Sequence, residues 1–290
     1  MVGKAPGGAV TVSPMQSAVE DVDAVAHGRK IWHRADGDAT LSAMGAFSTF
    51  GRQALDLLLP AQCFGCGAPM ADPARLCGSC FGDSVFIADP MCVSCGRPFE
   101  FEAEAGRVCG LCVAVPPSFD HCRAAVHYDE PLRSALLKFK HGDRTDMADG
   151  LANLLIRAGR DFLGSADLVA PVPLHPRRLW HRRYNQSGLM SAAVARRDAL
   201  ASIPDLLIRK RQTRTQGGLS ATARRRNVRG AFALNDRYRT AIAERHVVLV
   251  DDVYTTGATV EACARVLKLA GAATVSVLVI ARVVRSGQVH

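Results

Sequence analysis

The stretch that decides the fold runs from His246 to Thr259 and reads H-V-V-L-V-D-D-V-Y-T-T-G-A-T. Val247, Val248, Leu249 and Val250 form a short continuous apolar run, the pattern of a strand buried on both faces of a parallel sheet. Two carboxylates, Asp251 and Asp252, end it, and Thr255, Thr256, Gly257, Ala258 and Thr259 follow. From Val260 the spacing becomes helical, with Val260, Ala264, Leu267 and Ala270 on one side and Gly271 as the stop. The order is strand, acidic tip, hydroxyl-and-glycine loop, helix.

Each part suits a sugar phosphate. A helix N-terminus leaves backbone N–H groups unpaired and carries partial positive charge, so it holds a phosphate. Gly257 lets the backbone approach an anion closely, and Thr255, Thr256 and Thr259 add hydroxyl donors. Adjacent carboxylates accept hydrogen bonds, which matches a cis-diol offering two. A lone Asp or Thr ordinarily only caps a helix or complements its dipole. The full arrangement at a strand's carboxyl end, where open α/β sheets bind ligands, points to a sugar-phosphate site.

Around this stretch, strands and helices alternate from about Asp120. Arg123–Tyr128 reads as a strand and Pro131–Lys140 as a helix broken by His141-Gly142-Asp143. Met147–Phe162 reads as a second helix stopped by Gly164, with Leu151, Leu154 and Leu155 inward. Leu168–Leu174 reads as a strand ending in prolines, Tyr184–Ala199 as a helix, Leu206–Arg209 as a short strand and Thr274–Ile280 as the last strand. Such alternation predicts a right-handed parallel sheet flanked by helices. Ala170-Pro-Val-Pro-Leu-His175 sits at a strand's carboxyl end, and its prolines predict a rigid turn in which one X-Pro bond is a cis candidate. Asn185 and Ser187 open the next helix, where such residues are often only caps.

Charge divides the chain. Residues 1–130 hold 9 Lys/Arg against 15 Asp/Glu, and residues 131–290 hold 27 against 12, for a total of +9. The basic half is expected to face an anion. Arg209, Lys210, Arg211, Arg214, Arg224, Arg225, Arg226 and Arg229 lie in a run without an acid, with Gly217 and Gly218 in its middle. A charge run is usually a solvated face; the glycines and missing acids favour a mobile loop closing over an anion.

The acidic half is written by cysteine. Cys63/Cys66 and Cys77/Cys80 are two Cys-x-x-Cys pairs, and Cys92/Cys95 and Cys109/Cys112 are two more. Two such knuckles make a closed tetrahedral four-cysteine site, hence structural zinc, and here metal supplies folding energy that the few large apolar residues do not. A disulfide framework is the competing reading, but no secretory signal supports an oxidising compartment. Sequence-order pairing gives two ribbons; a crossed pairing of 63/66 with 92/95 stays open. Cys122 and Cys263 are left over and are expected to be buried thiols. Residues 1–48 read as a poorly ordered extension, with a misassigned start left open, and Ala54–Pro60 as a short amphipathic turn. No run of eighteen apolar residues exists, so no membrane-spanning helix is expected.

V-V-L-V-D-D-V-x-T-T-G-A-T resembles the phosphoribosyl pyrophosphate (PRPP) motif of type I phosphoribosyltransferases. That resemblance implies that Asp251 and Asp252 bind the ribose 2′ and 3′ hydroxyls and that Thr255, Thr256, Gly257, Ala258 and Thr259 bind the 5′-phosphate. It also makes Pro171, Val172, Pro173 and Leu174 a pyrophosphate loop, with a plain rigid connector as the alternative. P-V-P-L-H-P-x-R from Pro171, Y-N-Q-S from Tyr184 and R-x-T-x-x-Q-x-x-L-S-x-x-x-R-x-x-N-V-x-G-A-F from Arg211 further resemble the ComF family of competence-associated, phosphoribosyltransferase-like proteins. The likeness covers about 54–283. One departure is Arg183-Tyr184, where the family pattern leads to Gly-Phe. The resemblance implies a type I phosphoribosyltransferase-like α/β domain at 120–285 behind a zinc-ribbon module at 54–119. It further implies PRPP with Mg²⁺ and cytoplasmic DNA handling in natural transformation with competence or recombination proteins.

In such chemistry, displacement of pyrophosphate from ribose C1 passes through an oxocarbenium-like state, so positioning and charge neutralisation dominate. Arginines of the basic run, Arg211, Arg214, Arg224, Arg225, Arg226 and Arg229, are the candidates to hold pyrophosphate. No residue is an evident base for an acceptor, and region 123–165 or the zinc module must wall the acceptor side. Two functions therefore stand: transfer of phosphoribose to an unknown acceptor, or a non-catalytic protein that keeps the fold and handles single-stranded DNA through its basic half. Trp180, Tyr184 and Phe232 are the aromatics near that half, so base stacking would be sparse.

Overall fold

The computed structural model describes residues 61–72, 75–142, 144–213 and 220–284. The expected 1–48 extension and the 54–60 turn lie outside the described residues, as do Arg214, Gly217 and Gly218. Five strands form one parallel sheet: β1 (His121–His127), β2 (Leu168–Pro171), β3 (Ala201–Ser202), β6 (His246–Tyr254) and β7 (Thr274–Arg282), in the order β1-β7-β6-β2-β3. Two more strands, β4 (Leu207–Arg209) and β5 (Phe232–Leu234), pair antiparallel outside it. Two single-turn helices, α1 (Gly78–Gly82) and α2 (Gly110–Ala114), belong to the cysteine segment that precedes the sheet.

The central strands are buried on both faces, as their apolar runs require. Val248 and Val250 of β6, with Leu278 and Ile280 of β7, face a core built by α3 (Leu132–His141), α4 (Ala148–Ala158) and α6 (Gln186–Asp198). Leu132, Phe139, Leu151, Leu155, Met190 and Val194 fill that core. Val247 and Leu249, with Val275, Val277 and Val279, face the opposite core against α8 (Ala258–Leu269) and the β4–β5 ribbon. The alternation follows from the two-residue period of a strand.

Several expected boundaries move. Helix α4 ends at Gly159, not Gly164; a Cβ at Gly159 would stand 2.6 Å from Leu278 Cδ2, so only glycine fits there. A separate short helix, α5 (Pro176–Arg182), precedes α6. The sheet's edge strand is Ala201–Ser202; Leu207–Arg209 pairs with Phe232–Leu234 instead, bringing the two feet of the basic segment together. Inside that segment Ala221–Val228 is helical (α7), capped by Ser220, whose hydroxyl accepts from Ala223 N–H at 3.2 Å. Among the described residues the cis peptide bonds are Asp89–Pro90 and Glu130–Pro131, so the prolines of 171–174 are trans. Arg183 has φ 62°, a left-handed conformation that favours glycine, at the position where the family pattern leads to glycine.

The cysteine segment is docked on the sheet. His127 N–H donates to Val85 O at 2.8 Å and Ile87 N–H to Ala125 O at 3.0 Å, so 85–87 covers the free edge of β1. Cys122 N–H donates to Ser94 O at 2.7 Å. Gly96, at φ 66°, passes so close that a Cβ would meet Cys122 O at 2.2 Å. Arg123, itself buried, donates to Val93 O at 2.9 Å and pairs with Asp161 at 2.7 Å. Cys92, Cys95, Cys109 and Cys112 belong to the same core as α8. Cys122 and Cys263 are free, fully buried thiols, as expected.

Candidate functional site

The site lies at the carboxyl ends of β6 and β2. Pro171 pairs with Val250, and Val172 N–H donates to Val250 O at 2.9 Å, so the 171–174 turn stands beside the acidic tip. Asn185 occupies the start of α6 but makes no cap; its side-chain N–H donates to Val172 O at 3.1 Å and holds that turn. Ser187 is likewise more than a helix opener. Its hydroxyl donates to Asp251 Oδ1 at 3.1 Å, and Asp252 N–H reaches the same oxygen at 2.9 Å.

Asp252 is held differently. Its Oδ2 pairs with Lys140 Nζ at 2.9 Å, both side chains being 17% exposed. Lys140 lies near the end of α3, far away in sequence, and nothing in its local pattern marks it. Gln186 Nε2 donates to Lys140 O at 3.3 Å and Tyr184 Oη to Phe139 O at 2.9 Å, which ties that helix end to the start of α6. Burial opposes the Lys140 charge, but Asp252 and Asp251 outweigh it and hold the ammonium above its ordinary range. Burial, then the charge of Asp252, raises the Asp251 carboxyl to about 7, against the opposing Asp252 N–H, Lys140 and Ser187.

Gly257 opens α8 at φ 72°, with no room for a side chain: a Cβ would lie 2.3 Å from Tyr254 Oη. Asp251, Tyr254, Thr255, Gly257, Ala258 and Thr259 line a shallow cleft at this helix start. Three buried side-chain polar atoms lack a hydrogen-bond partner among the described residues: Thr256 Oγ1, Asn185 Oδ1 and Arg209 Nε. One is in the hydroxyl loop, one behind the 171–174 turn and one at the foot of the basic segment. Buried polar groups are normally paired, so an orphan such as Thr256 Oγ1 in the hydroxyl loop marks a place where a polar ligand completes the set.

Five of the six arginines read as one mobile loop are sorted by the structure, Arg214 lying outside the described residues. Arg211 is a latch, donating to Asn227 O at 3.0 Å and Arg229 O at 2.9 Å across the feet of the segment. Arg224, Arg225 and Arg226 ride on α7, the last two exposed, and Arg229 is exposed just after it. Arg178, on α5, donates to Thr213 O at 2.9 Å, and Arg177 to Gln212 Oε1 at 3.1 Å, so α5 and the basic segment share one surface. Buried Arg209 lies over the Phe232 ring, 5.1 Å from its centroid, and bonds Thr213 Oγ1.

The cysteines gather in sequence order. Cys63, Cys66, Cys77 and Cys80 form one cluster and Cys92, Cys95, Cys109 and Cys112 the other, each with its sulfur atoms within 4.8 Å of one another. No crossed pairing occurs among the described residues. Backbone N–H groups already point at the sulfurs, from Cys77 to Cys63 Sγ at 3.2 Å and from Cys109 to Cys92 Sγ at 3.3 Å. A hydrogen bond from Cys95, with amides of Cys109, Cys95 and Ser94, holds the Cys92 thiol far below its ordinary range despite burial. Four thiolate donors with amides turned towards them fit a closed tetrahedral zinc, and both clusters are structural zinc sites.

Comparison with known proteins agrees. Residues 54–113 match the double zinc ribbon domain family. The chain is 34% identical over 212 residues to "Competence protein F" of Haemophilus influenzae, covering 71% of this chain and 90% of that one. It is 34% identical over 232 residues to "DNA utilization protein YhgH" of Escherichia coli O157:H7, covering 78% of this chain and 99% of that one. Among solved structures it is similar to an orotate phosphoribosyltransferase from Aeropyrum pernix, at 18% identity and a TM-score of 0.29 over 55% of this chain and 80% of that one. With its two four-cysteine clusters, its parallel sheet and its near-complete span of these relatives, the chain belongs to the ComF family, that of competence protein F and YhgH.

Proposed function

We propose that the chain binds PRPP, or another phosphoribosyl ligand, with Mg²⁺ at the tip of β6, and that it serves DNA uptake, in line with relatives named for competence and for DNA utilization. In this reading 54–119 is the zinc-ribbon module and 120–285 the phosphoribosyltransferase-like domain. One observation carries it: the Asp251–Asp252 pair leads into a glycine-opened helix start where the Thr256 hydroxyl is buried without a partner among the described residues. A 5′-phosphate on the 255–259 loop would accept from that hydroxyl and from the helix N–H groups. The ribose diol would donate to the carboxylates. Pyrophosphate would lie by 171–174 and the basic segment, with Mg²⁺ supplying charge neutralisation. Calorimetric titration with PRPP and Mg²⁺ tests this. Saturable binding that Asp251→Asn weakens more than tenfold is expected; no heat above dilution in the parent protein refutes it.

Whether transfer follows depends on an acceptor, and no side chain at the site stands as an obvious base for one. A second reading has its own observation. Trp180 is 87% exposed on α5, the helix whose Arg177 and Arg178 bond to the basic segment. An open indole among arginines suits stacking on an unpaired base beside backbone phosphates. Titration with single-stranded DNA at several salt concentrations tests this surface.

A further inference from the structure

The second cysteine cluster and the hydroxyl loop are joined by a continuous chain of contacts. Arg282, the last residue of β7, is 7% exposed. Its Nη1 donates to Cys95 O at 2.6 Å, and Nη2 lies 3.7 Å from Cys95 Sγ. The same guanidinium covers the Tyr254 ring, 4.2 Å from its centroid. The Tyr254 hydroxyl in turn fills the space where Gly257 has no side chain. A second tie runs alongside: the Ser118 hydroxyl and N–H donate to Glu261 in the first turn of α8, at 2.6 and 2.9 Å. The first cluster has no such connection among the described residues. Its Cys66 is exposed, and its sulfur partners lie within its own ribbon.

A bound zinc fixes where Cys95 stands. Its carbonyl then fixes the guanidinium, the guanidinium fixes the ring, and the ring backs the turn at Gly257. Outer-sphere partners of this kind orient metal ligands and are oriented by them. We infer that Arg282 and Tyr254 are positioning residues that couple zinc at the second cluster, and not at the first, to the set of the 255–259 loop. The inference rests on the 255–259 loop being the phosphate site only for its ligand arm; the structural link is independent of what binds there.

The test compares the parent with Cys66→Ser, Cys112→Ser, Tyr254→Ala and the Cys112→Ser/Tyr254→Ala pair. Cys112 is chosen because no hydrogen bond joins it to Arg282 or Tyr254 among the described residues. Amide hydrogen exchange at 255–259 is read against 186–198 as an internal reference, with zinc content measured for each protein. Cys112→Ser and Tyr254→Ala are each expected to speed exchange at 255–259 about tenfold, a typical size for coupling between two sites. Cys66→Ser leaves it unchanged, and the pair gives no more than either alone, because each breaks the same chain. Equal effects of Cys66→Ser and Cys112→Ser, multiplying effects in the pair, or unchanged exchange in all would overturn the inference. PRPP affinity provides the ligand arm: it is expected to fall with Cys112→Ser and not with Cys66→Ser. If the loop loosens as described while the parent shows no PRPP binding, the ligand reading fails and the coupling stands.

Discussion

Asp251→Asn is expected to stabilise the ligand-free protein while weakening the site. Burial and the neighbouring charge of Asp252 raise the Asp251 carboxyl from 3.8 to about 7. Between about pH 4 and 7 the folded chain therefore holds a proton that the unfolded chain has released, so native stability falls as pH rises through that window. Above pH 7 the loss is complete. About three units at roughly 1.4 kcal/mol each set a ceiling of about 4 kcal/mol. Solvent reaching the cleft reduces the realistic gain to about 1–2 kcal/mol. Asparagine keeps an oxygen for Ser187 and for Asp252 N–H, so the two hydrogen bonds at 3.1 and 2.9 Å survive. For a chain of this size about 2–4 °C accompanies each kcal/mol. Thermal unfolding of parent and variant side by side from pH 5.5 to 8.5 should show the variant ahead by about 3–6 °C at pH 8, narrowing towards pH 5.5. A variant that unfolds at or below the parent temperature at pH 8, or a lead that does not change with pH, refutes the reasoning.

Asp252→Asn should do the reverse, because it strips Lys140 of its carboxylate at 2.9 Å; a loss of about 1–3 kcal/mol is expected by chemical denaturation at pH 7.5. Metal analysis of protein purified without added zinc should find two zinc per chain, and the pairs oxidised to disulfides with no metal would contradict the ribbons. Arg183→Gly should raise stability by up to about 1 kcal/mol, since φ 62° costs a side chain and not glycine; a fall in the unfolding midpoint would mean that the arginine side chain contributes more than its backbone costs. Replacing Arg224, Arg225 and Arg226 by Ala should weaken single-stranded DNA binding about equally across sequences and flatten its salt slope of roughly −0.7 per phosphate. Trp180→Ala should instead lower affinity at all salt concentrations without changing that slope.

Much of the molecule is written locally. A four-residue apolar run, two acids and a hydroxyl loop before a helical spacing have one economical reading, because strand period, helix period and turn chemistry act over a few residues. Four Cys-x-x-Cys pairs are just as local, since each knuckle is a single tight turn. Sheet and ribbons were therefore legible before any contact was known. Their partners were not. Lys140 and Ser187 come from two helices remote from the acids they serve, and no periodicity announces a counter-charge. Leu206–Arg209 had the composition of a sheet strand, yet it pairs with Phe232–Leu234, a choice made by how the basic segment closes and not by propensity. Gly164 was a plausible helix stop, but the helix stops at Gly159, where close passage of β7 leaves no room for a side chain. The cysteine module gave no sign that its second ribbon packs on the sheet beside α8. Residue type and spacing determined which groups this chain carries: a carboxylate pair, a hydroxyl loop, eight paired thiols and a basic run. Tertiary packing alone decided which of them share charge and contact, because burial, counter-charge and close approach depend on elements brought together across the whole chain.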